Sequence, residues 1–318
     1  MTAPDSDRHA HDHRAPNETA RARGQLAFAV GLTAAVLVIE VGGGLWTRSL
    51  ALLSDAAHVF TDLVSLLLSF GAVLLATRPV SKERTFGWHR AEVLAALANG
   101  VLLFVISGFL VYEAYLRFFH PPEIRVGGML AVAAAGLLAN GIIVFRLRGH
   151  VHHDLNLRSA YLHVLADFAA SIGVVVAALV MLVTGWYIAD PILGLLISLS
   201  VLVGSIRLLR ETLHILLEGV PPDVDLNVVA EAIREVPGVD DIHDLHIWTI
   251  CSHLYALSVH VTVGDRSSAA RDEIITAIND TLRVGFGIVE TTIQTEREPC
   301  RTDELIHLVP HRGEEEIS

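Results

Sequence analysis

Six stretches, at residues 26–46, 50–76, 93–116, 126–145, 157–183 and 188–206, are each apolar for long enough to cross a bilayer core of about 30 Å as a helix. Hydrocarbon offers no hydrogen bonds, so a spanning segment must satisfy its own backbone, and a single apolar run can do so only as an α-helix. Composition agrees. The 318 residues are 52% hydrophobic and 18% charged, against about 25% charged in a soluble domain. The first apolar run begins near Leu26, is too long for the h-region of a signal peptide and lacks an obvious A-x-A cleavage site, so no signal peptide is expected.

Basic residues alternate from side to side. Arg21 and Arg23 precede the first span. Arg78, Lys82, Arg84 and Arg90 lie between the second and third. Arg146, Arg148 and Arg158 surround the loop between the fourth and fifth, and Arg207 and Arg210 follow the sixth. The other side has Arg48, Arg117 and Arg125. The positive-inside rule puts both termini in the cytoplasm.

Two of the spans repeat one pattern. His58 and Asp62 stand four apart in the second, and His163 and Asp167 four apart in the fifth. Residues at i and i+4 share a helix face, with Cβ atoms about 5–6 Å apart. A carboxylate at the centre of a membrane helix costs about 2.5–3.5 kcal/mol on insertion scales. Packing does not require it, so the default reading is functional. The four side chains supply two imidazole nitrogens and two carboxylates, a set suited to a tetrahedral divalent ion, Zn²⁺ first. Two carboxylates and one M²⁺ are jointly neutral, which makes burial tolerable. The bland alternative is a pair of structural His–Asp hydrogen bonds. Asp55, three residues before His58, is placed to orient that imidazole. Glu40, Asn99 and Asn140 are isolated and read as interhelical hydrogen-bonding groups. Asp190, before Pro191, reads as the cap of the sixth helix.

The tail 1–25 is polar, carries His9, His11 and His13, and is expected to be disordered. The loop with His150, His152, His153 and Asp154 lies just before the fifth span and could feed cations to it.

Beyond the spans the composition shifts. Residues 212–318 hold 20 acidic and 7 basic residues of a chain whose net charge is −12. That argues against nucleic-acid binding. Only Cys251 and Cys300 are present, so no disulfide framework is expected. The pattern reads as helix 226–236, strands 241–249 and 253–263, a helix opened by Ser267 and Ser268, and a strand 288–296. The order α-β-β-α-β is that of a small α+β domain with an open-faced sheet. His243, His246, His253 and His260 fall on it, and His243 and His246 are too close in a strand to share a face. The expected organisation is a tail 1–25, a six-helix membrane domain 26–211, a cytoplasmic α+β domain 212–297 of ferredoxin-like type, and a polar tail 298–318.

The stretches 53–62, 86–92, 156–167, Asp190-Pro191 and 243–249 together resemble the cation diffusion facilitator family, and most of all its zinc, cobalt and cadmium efflux branch. The resemblance covers about 26–296. It implies a six-span, proton-coupled antiporter that exports Zn²⁺, with Cd²⁺ and Co²⁺ as further candidates. It also implies a homodimer formed through the cytoplasmic domain, in a bacterial inner membrane. Zinc is then the transported substrate and no cofactor is implied. The transport ligands would be His58, Asp62, His163 and Asp167. A further site in the loop between spans two and three is not expected, because Trp88 stands where such members have histidine. In the cytoplasmic domain His243 and His260 match metal-binding positions of some members. Gln294 stands where those members have histidine and Glu296 where they have a carboxylate, which leaves a single site of His243, His260 and Glu296.

Two rival classes remain. A membrane metalloenzyme needs an open coordination position and a general base. Here four protein ligands close the site and no HExxH occurs. A metal-sensing receptor would leave the intramembrane ligands superfluous.

Overall fold

A computed structural model describes residues 16–76, 82–147, 155–251, 254–298 and 305. Six long helices come first: α1 (Pro16–Thr47), α2 (Leu50–Ala76), α3 (His89–Phe119), α4 (Val126–Leu147), α5 (Leu155–Thr184) and α6 (Ala189–Leu216). Each contains one apolar stretch. Among the described residues, five hold windows long and apolar enough to cross a membrane: Val30–Thr47, His89–Phe119, Val126–Phe145, Leu165–Thr184 and Ala189–Leu216. The sixth long helix is α2, 27 residues, over the range read from sequence.

The helices overrun their apolar stretches. α1 starts at Pro16, inside the segment expected to be a disordered tail, and α6 runs on to Leu216 with Arg207 and Arg210 inside it. Hydropathy marks where lipid lies, not where the hydrogen-bonded ladder stops. Proline suits a first helical turn, and the Glu, Ala, Arg and Gln residues that follow Pro16 are compatible with helix.

The chain forms two compact units, one from residues up to 67 with 102–204, the other from 68–101 with 205 onward. In the first, α4 packs on both α1 and α5. Its core joins Ala51 and Leu52 of α2, Met129 and Ala133 of α4, and Val174 and Ala178 of α5. Small residues set the approach: a Cβ on Gly43 would meet the Val132 side chain at 2.7 Å. Val105, Phe109 and Tyr112, spaced along one face of α3, are exposed. They are the apolar surface a lipid-facing helix presents.

The second unit contains α7 (Leu226–Arg234), β1 (Asp241–Cys251), β2 (Leu254–Thr262), α8 (Ser268–Phe286) and β3 (Ile288–Glu296). The order is the α-β-β-α-β expected. β1 pairs antiparallel with β2, and β2 parallel with β3 through the α8 crossover. Asp225 caps α7 by accepting from the amides of Asn227 and Val228, and the Ser267 hydroxyl accepts from the Ala270 amide at the start of α8. Gly287 ends α8 at φ 67°, where a side chain would be strained. Val229 and Ile233 of α7, Ile274, Ile278 and Leu282 of α8, and Ile242, Leu245, Ile247, Leu257, Val259 and Val261 of the sheet form one core. Both helices therefore cover the same face of the sheet, and the other face is left for β1, β2 and β3 to present polar side chains.

Candidate metal sites

α2 and α5 each present ligand-type side chains at helical spacing, and the fold brings the two faces together. His58 Nε2 shares a 3.0 Å hydrogen bond with Asp167 Oδ1. One ligand atom from each of His58, Asp62 and Asp167 lies within 4.8 Å of the others, close enough to hold one ion. The His58 and Asp167 side chains are 28% and 14% exposed, so the cluster is sheltered yet accessible. His163 also belongs to α5, one turn before Asp167; its side chain lies outside the described residues. Asp55 is 4% exposed on α2. It feels the charges of His58, Asp62 and Asp167.

The helix ends that fix α2 were read differently from sequence. Asp190 does not cap its own helix. Its Oδ1 accepts from Ser49 Oγ at 2.6 Å and the Ala51 amide at 3.1 Å, and its Oδ2 from the Leu50 amide at 2.8 Å. The free amides at the start of α2 are orphan donors that a neighbouring carboxylate satisfies and charge-stabilises. One turn further along, Ser54 Oγ and Ser198 Oγ are hydrogen-bonded at 2.8 Å, again joining α2 to α6. Spacing along the chain gave no sign of either contact, because both are long-range.

The three isolated polar residues also divide. Asn140 Nδ2 donates to Ser171 Oγ at 3.0 Å and links α4 to α5, as expected. Asn99 shows no such bond: its amide nitrogen and oxygen are buried with no hydrogen-bond partner among the described residues. Nor does Glu40, whose Oε2 is likewise unpartnered. Glu40 fits only because Gly136 faces it, where a Cβ would lie 2.7 Å from Oε1.

A second cluster lies on the open face of the sheet. His243 and His260 are directly opposed across β1 and β2, and Glu296 is at the end of β3. One ligand atom from each falls within 4.8 Å of the others. Glu296 Oε1 is 3.1 Å from His260 Nδ1, and Oε2 is 3.3 Å from His243 Nε2. The second contact is short, but the His243 nitrogen makes no aligned hydrogen bond among the described residues. Gln294 Nε2 donates to Glu296 Oε1 at 2.8 Å and so steadies that carboxylate. His246 is exposed and is not among the cluster's ligand atoms. Its pairing with Ser258 nevertheless puts it on the same open face as His260, because the strand irregularity after His243 breaks the alternation that would separate His243 from His246. His253, like the tail histidines His9, His11 and His13 and the loop residues His150, His152, His153 and Asp154, lies outside the described residues.

Near the start of α3, Cys251 Sγ is 3.5 Å from His89 Nδ1. Burial, with the Glu92 carboxylate nearby, raises the Cys251 thiol above its ordinary pKa. That thiol stays protonated at neutral pH and is a poor nucleophile.

Residues 26–217 match the family model described as the cation efflux transmembrane domain, and residues 221–298 match the cation efflux protein, cytoplasmic domain. The chain is 43% identical over 292 residues to the metal cation efflux system protein CzcD of Cupriavidus metallidurans, covering 92% of this chain and 90% of that one. It is 40% identical over 296 residues to the zinc transporter ZitB of Escherichia coli, covering 92% and 93%. It is 38% identical over 277 residues to the cadmium, cobalt and zinc/H(+)-K(+) antiporter of Bacillus subtilis, covering 86% and 89%.

Proposed function

The chain belongs to the cation efflux family, integral membrane transporters of metal cations and not enzymes, and on that premise we propose that it exports Zn²⁺ from the cytoplasm in exchange for protons. Cd²⁺ and Co²⁺ are the further candidate substrates, since relatives carry those metals in their names. The observation that carries the reading is the convergence of His58, Asp62 and Asp167 from two helices onto one point. His163, one turn from Asp167, completes a set of two nitrogens and two carboxylates, and Asp55 orients His58 from the same helix.

The coupling follows from the ligands. A hydrogen bond between His58 and Asp167 has a proton between nitrogen and oxygen. An ion bound there needs the lone pair that this proton occupies, so binding expels it. Two neutral imidazoles and two carboxylates balance one M²⁺, and without the ion the carboxylates favour retaining protons. A site that opens to each side in turn then exchanges one cargo for the other. The sheet cluster of His243, His260 and Glu296 is a second, single-ion site in the cytoplasmic domain. Both termini are cytoplasmic, the protein sits in a bacterial inner membrane, and two copies associate through the C-terminal domain.

The test is zinc flux in vesicles reconstituted with the purified protein and an imposed proton gradient. Wild type should accumulate Zn²⁺ against its gradient as protons leave. Asp167→Ala removes an insertion penalty of about 2.5–3.5 kcal/mol, so it should insert normally and lose transport. Near-wild-type flux in that variant would refute the site.

A further inference from the structure

Strand β1 departs from regular pairing at one place, and the departure delivers a carboxylate to the sheet cluster. His243 is opposite His260, but the next pair is His246 with Ser258. β1 has advanced three residues while β2 has advanced two, so one residue of β1 is extra: a β-bulge. Burial identifies the residue. Ile242, Leu245 and Ile247 all enter the core under α7 and α8. In an unbroken strand, alternate residues would share a face, and Asp244 would join Ile242 in that core. Instead Asp244 adopts φ 50°, in the left-handed region that costs most residues and that Asp tolerates better than most. The Leu245 amide leaves the sheet and donates to the Leu305 carbonyl at 3.0 Å. Two consecutive residues, His243 and Asp244, thereby come to the same side.

On that side the Asp244 carboxylate meets the cluster. Its Oδ2 is 3.8 Å from His260 Nδ1. Its Oδ1 is buried with no hydrogen-bond partner among the described residues, and so is His243 Nε2. Donors at about 2.0–2.1 Å from a tetrahedral Zn²⁺ are about 3.4 Å from one another. Within the three-residue cluster the nitrogen-to-oxygen separations, 3.1 and 3.3 Å, match that edge. Asp244 stands at its margin, with Oδ2 3.8 Å from His260 Nδ1, and a small side-chain movement brings it onto a shared ion. We propose that Asp244 is the fourth ligand of the cytoplasmic site, completing with His243, His260 and Glu296 a tetrahedral centre for one Zn²⁺-class divalent ion. The set has two imidazoles and two carboxylates, the same donor chemistry as the membrane site, and is neutral with its ion. It also accounts for Gln294. With Asp244 supplying the fourth donor, no ligand is needed at that position, and the amide holds Glu296 in place.

The proposal rests on the reading of His243, His260 and Glu296 as a metal site, and the test separates the two. The protein is the full-length chain carrying Asp167→Ala, which disables the membrane site, titrated with Co²⁺ as the probe and followed by its visible absorption. The expected result is one ion with the intense bands of four-coordinate tetrahedral Co²⁺, displaced by Zn²⁺. Adding His260→Ala should abolish the bands. Adding Asp244→Asn keeps a residue that accepts φ 50° and the same shape. It should weaken binding by at least about tenfold and change the band intensity as the coordination changes. Affinity and spectrum unchanged by Asp244→Asn would overturn Asp244 as a ligand while leaving the three-residue site standing. Absence of any Co²⁺ signal, or a signal indifferent to His260→Ala, would overturn both.

Discussion

At the scale of single residues, His58 is the side chain on which metal choice should turn. An imidazole gives one nitrogen lone pair in a fixed direction and holds a site at four-coordinate, which Zn²⁺ accepts readily. An aspartate in its place can bind through one oxygen or two, with more and longer bonds. A larger ion such as Cd²⁺ gains more from that freedom. His58→Asp should therefore keep zinc transport and narrow or remove a preference for Zn²⁺ over Cd²⁺. The ratio of the two uptakes in vesicles, under one proton gradient, measures it. An unchanged ratio would shift attention to Asp55. Gly136 makes a different kind of demand. A methyl group there would stand 2.7 Å from Glu40 Oε1, and Glu40 is 1% exposed. Gly136→Ala should cost about 1–3 kcal/mol by overpacking. Gly108, also mid-helix, has nothing within 4 Å of its added Cβ, and Gly108→Ala should be neutral or stabilising by up to about 1 kcal/mol. Thermal inactivation of the two variants in detergent compares them directly.

At the scale of elements, what could be read in advance was periodic or local. The membrane helices follow from hydropathy, and the paired His and Asp residues from i, i+4 spacing. Ser267 as a helix start follows from capping chemistry. What could not be read depends on contacts far apart in sequence. Asp190 looks like a cap for α6, yet it serves the amides of α2 some 140 residues earlier. Asp244 belongs, by alternation, in the core. Only the pairing of β1 with β2 reveals that one residue is extra. An ion pair between the residue before β1 and the loop from β2 to α8 makes an element-scale prediction. Asp240 accepts from Arg266 Nη1 at 2.9 Å and Nη2 at 3.1 Å. That hydrogen-bonded guanidinium holds the Asp240 carboxyl below its ordinary range. A depressed folded-state value means the stabilisation is fully present above the unfolded value, about pH 4, and is lost as pH falls through the lower folded one. The pair is exposed, so its contribution is small and screened by salt. Asp240→Asn should lower the unfolding temperature of the cytoplasmic domain slightly at pH 6. The difference should close as pH drops below about 4. A gap that does not narrow at all as pH falls below about 4 would mean the variant acts through something other than the charge.

At the scale of the whole molecule, the division of labour between membrane and cytoplasmic parts can be tested by cutting the chain, and the structure says where. α6 does not stop at Ile206, where the apolar stretch read from sequence ends, but continues to Leu216. A cut at 211 would sever a helix whose Leu209 packs against α3, where a Cβ on Gly100 would come within 3.0 Å of it. Ending the chain after Leu217 preserves that packing. It still removes Glu218, which pairs with Arg90 at 3.0 Å, and Cys251, which lies 3.5 Å from His89. The first of these contacts is exposed and worth less than about 1 kcal/mol, so the start of α3 should loosen without unfolding. The four proposed membrane ligands, His58, Asp62, His163 and Asp167, all remain. A chain ending at Leu217 should therefore insert and retain a zinc-specific flux that Asp167→Ala still abolishes. It should cross-link to dimers far less and transport more slowly, because association through the C-terminal domain is gone. Cross-linking in membranes and zinc flux in vesicles, run on the same preparation, read both effects. Dimer yield equal to that of the full chain would place the contact among the membrane helices. Complete loss of flux despite normal insertion would mean that the cytoplasmic unit takes part in each transport cycle rather than holding two transporters together.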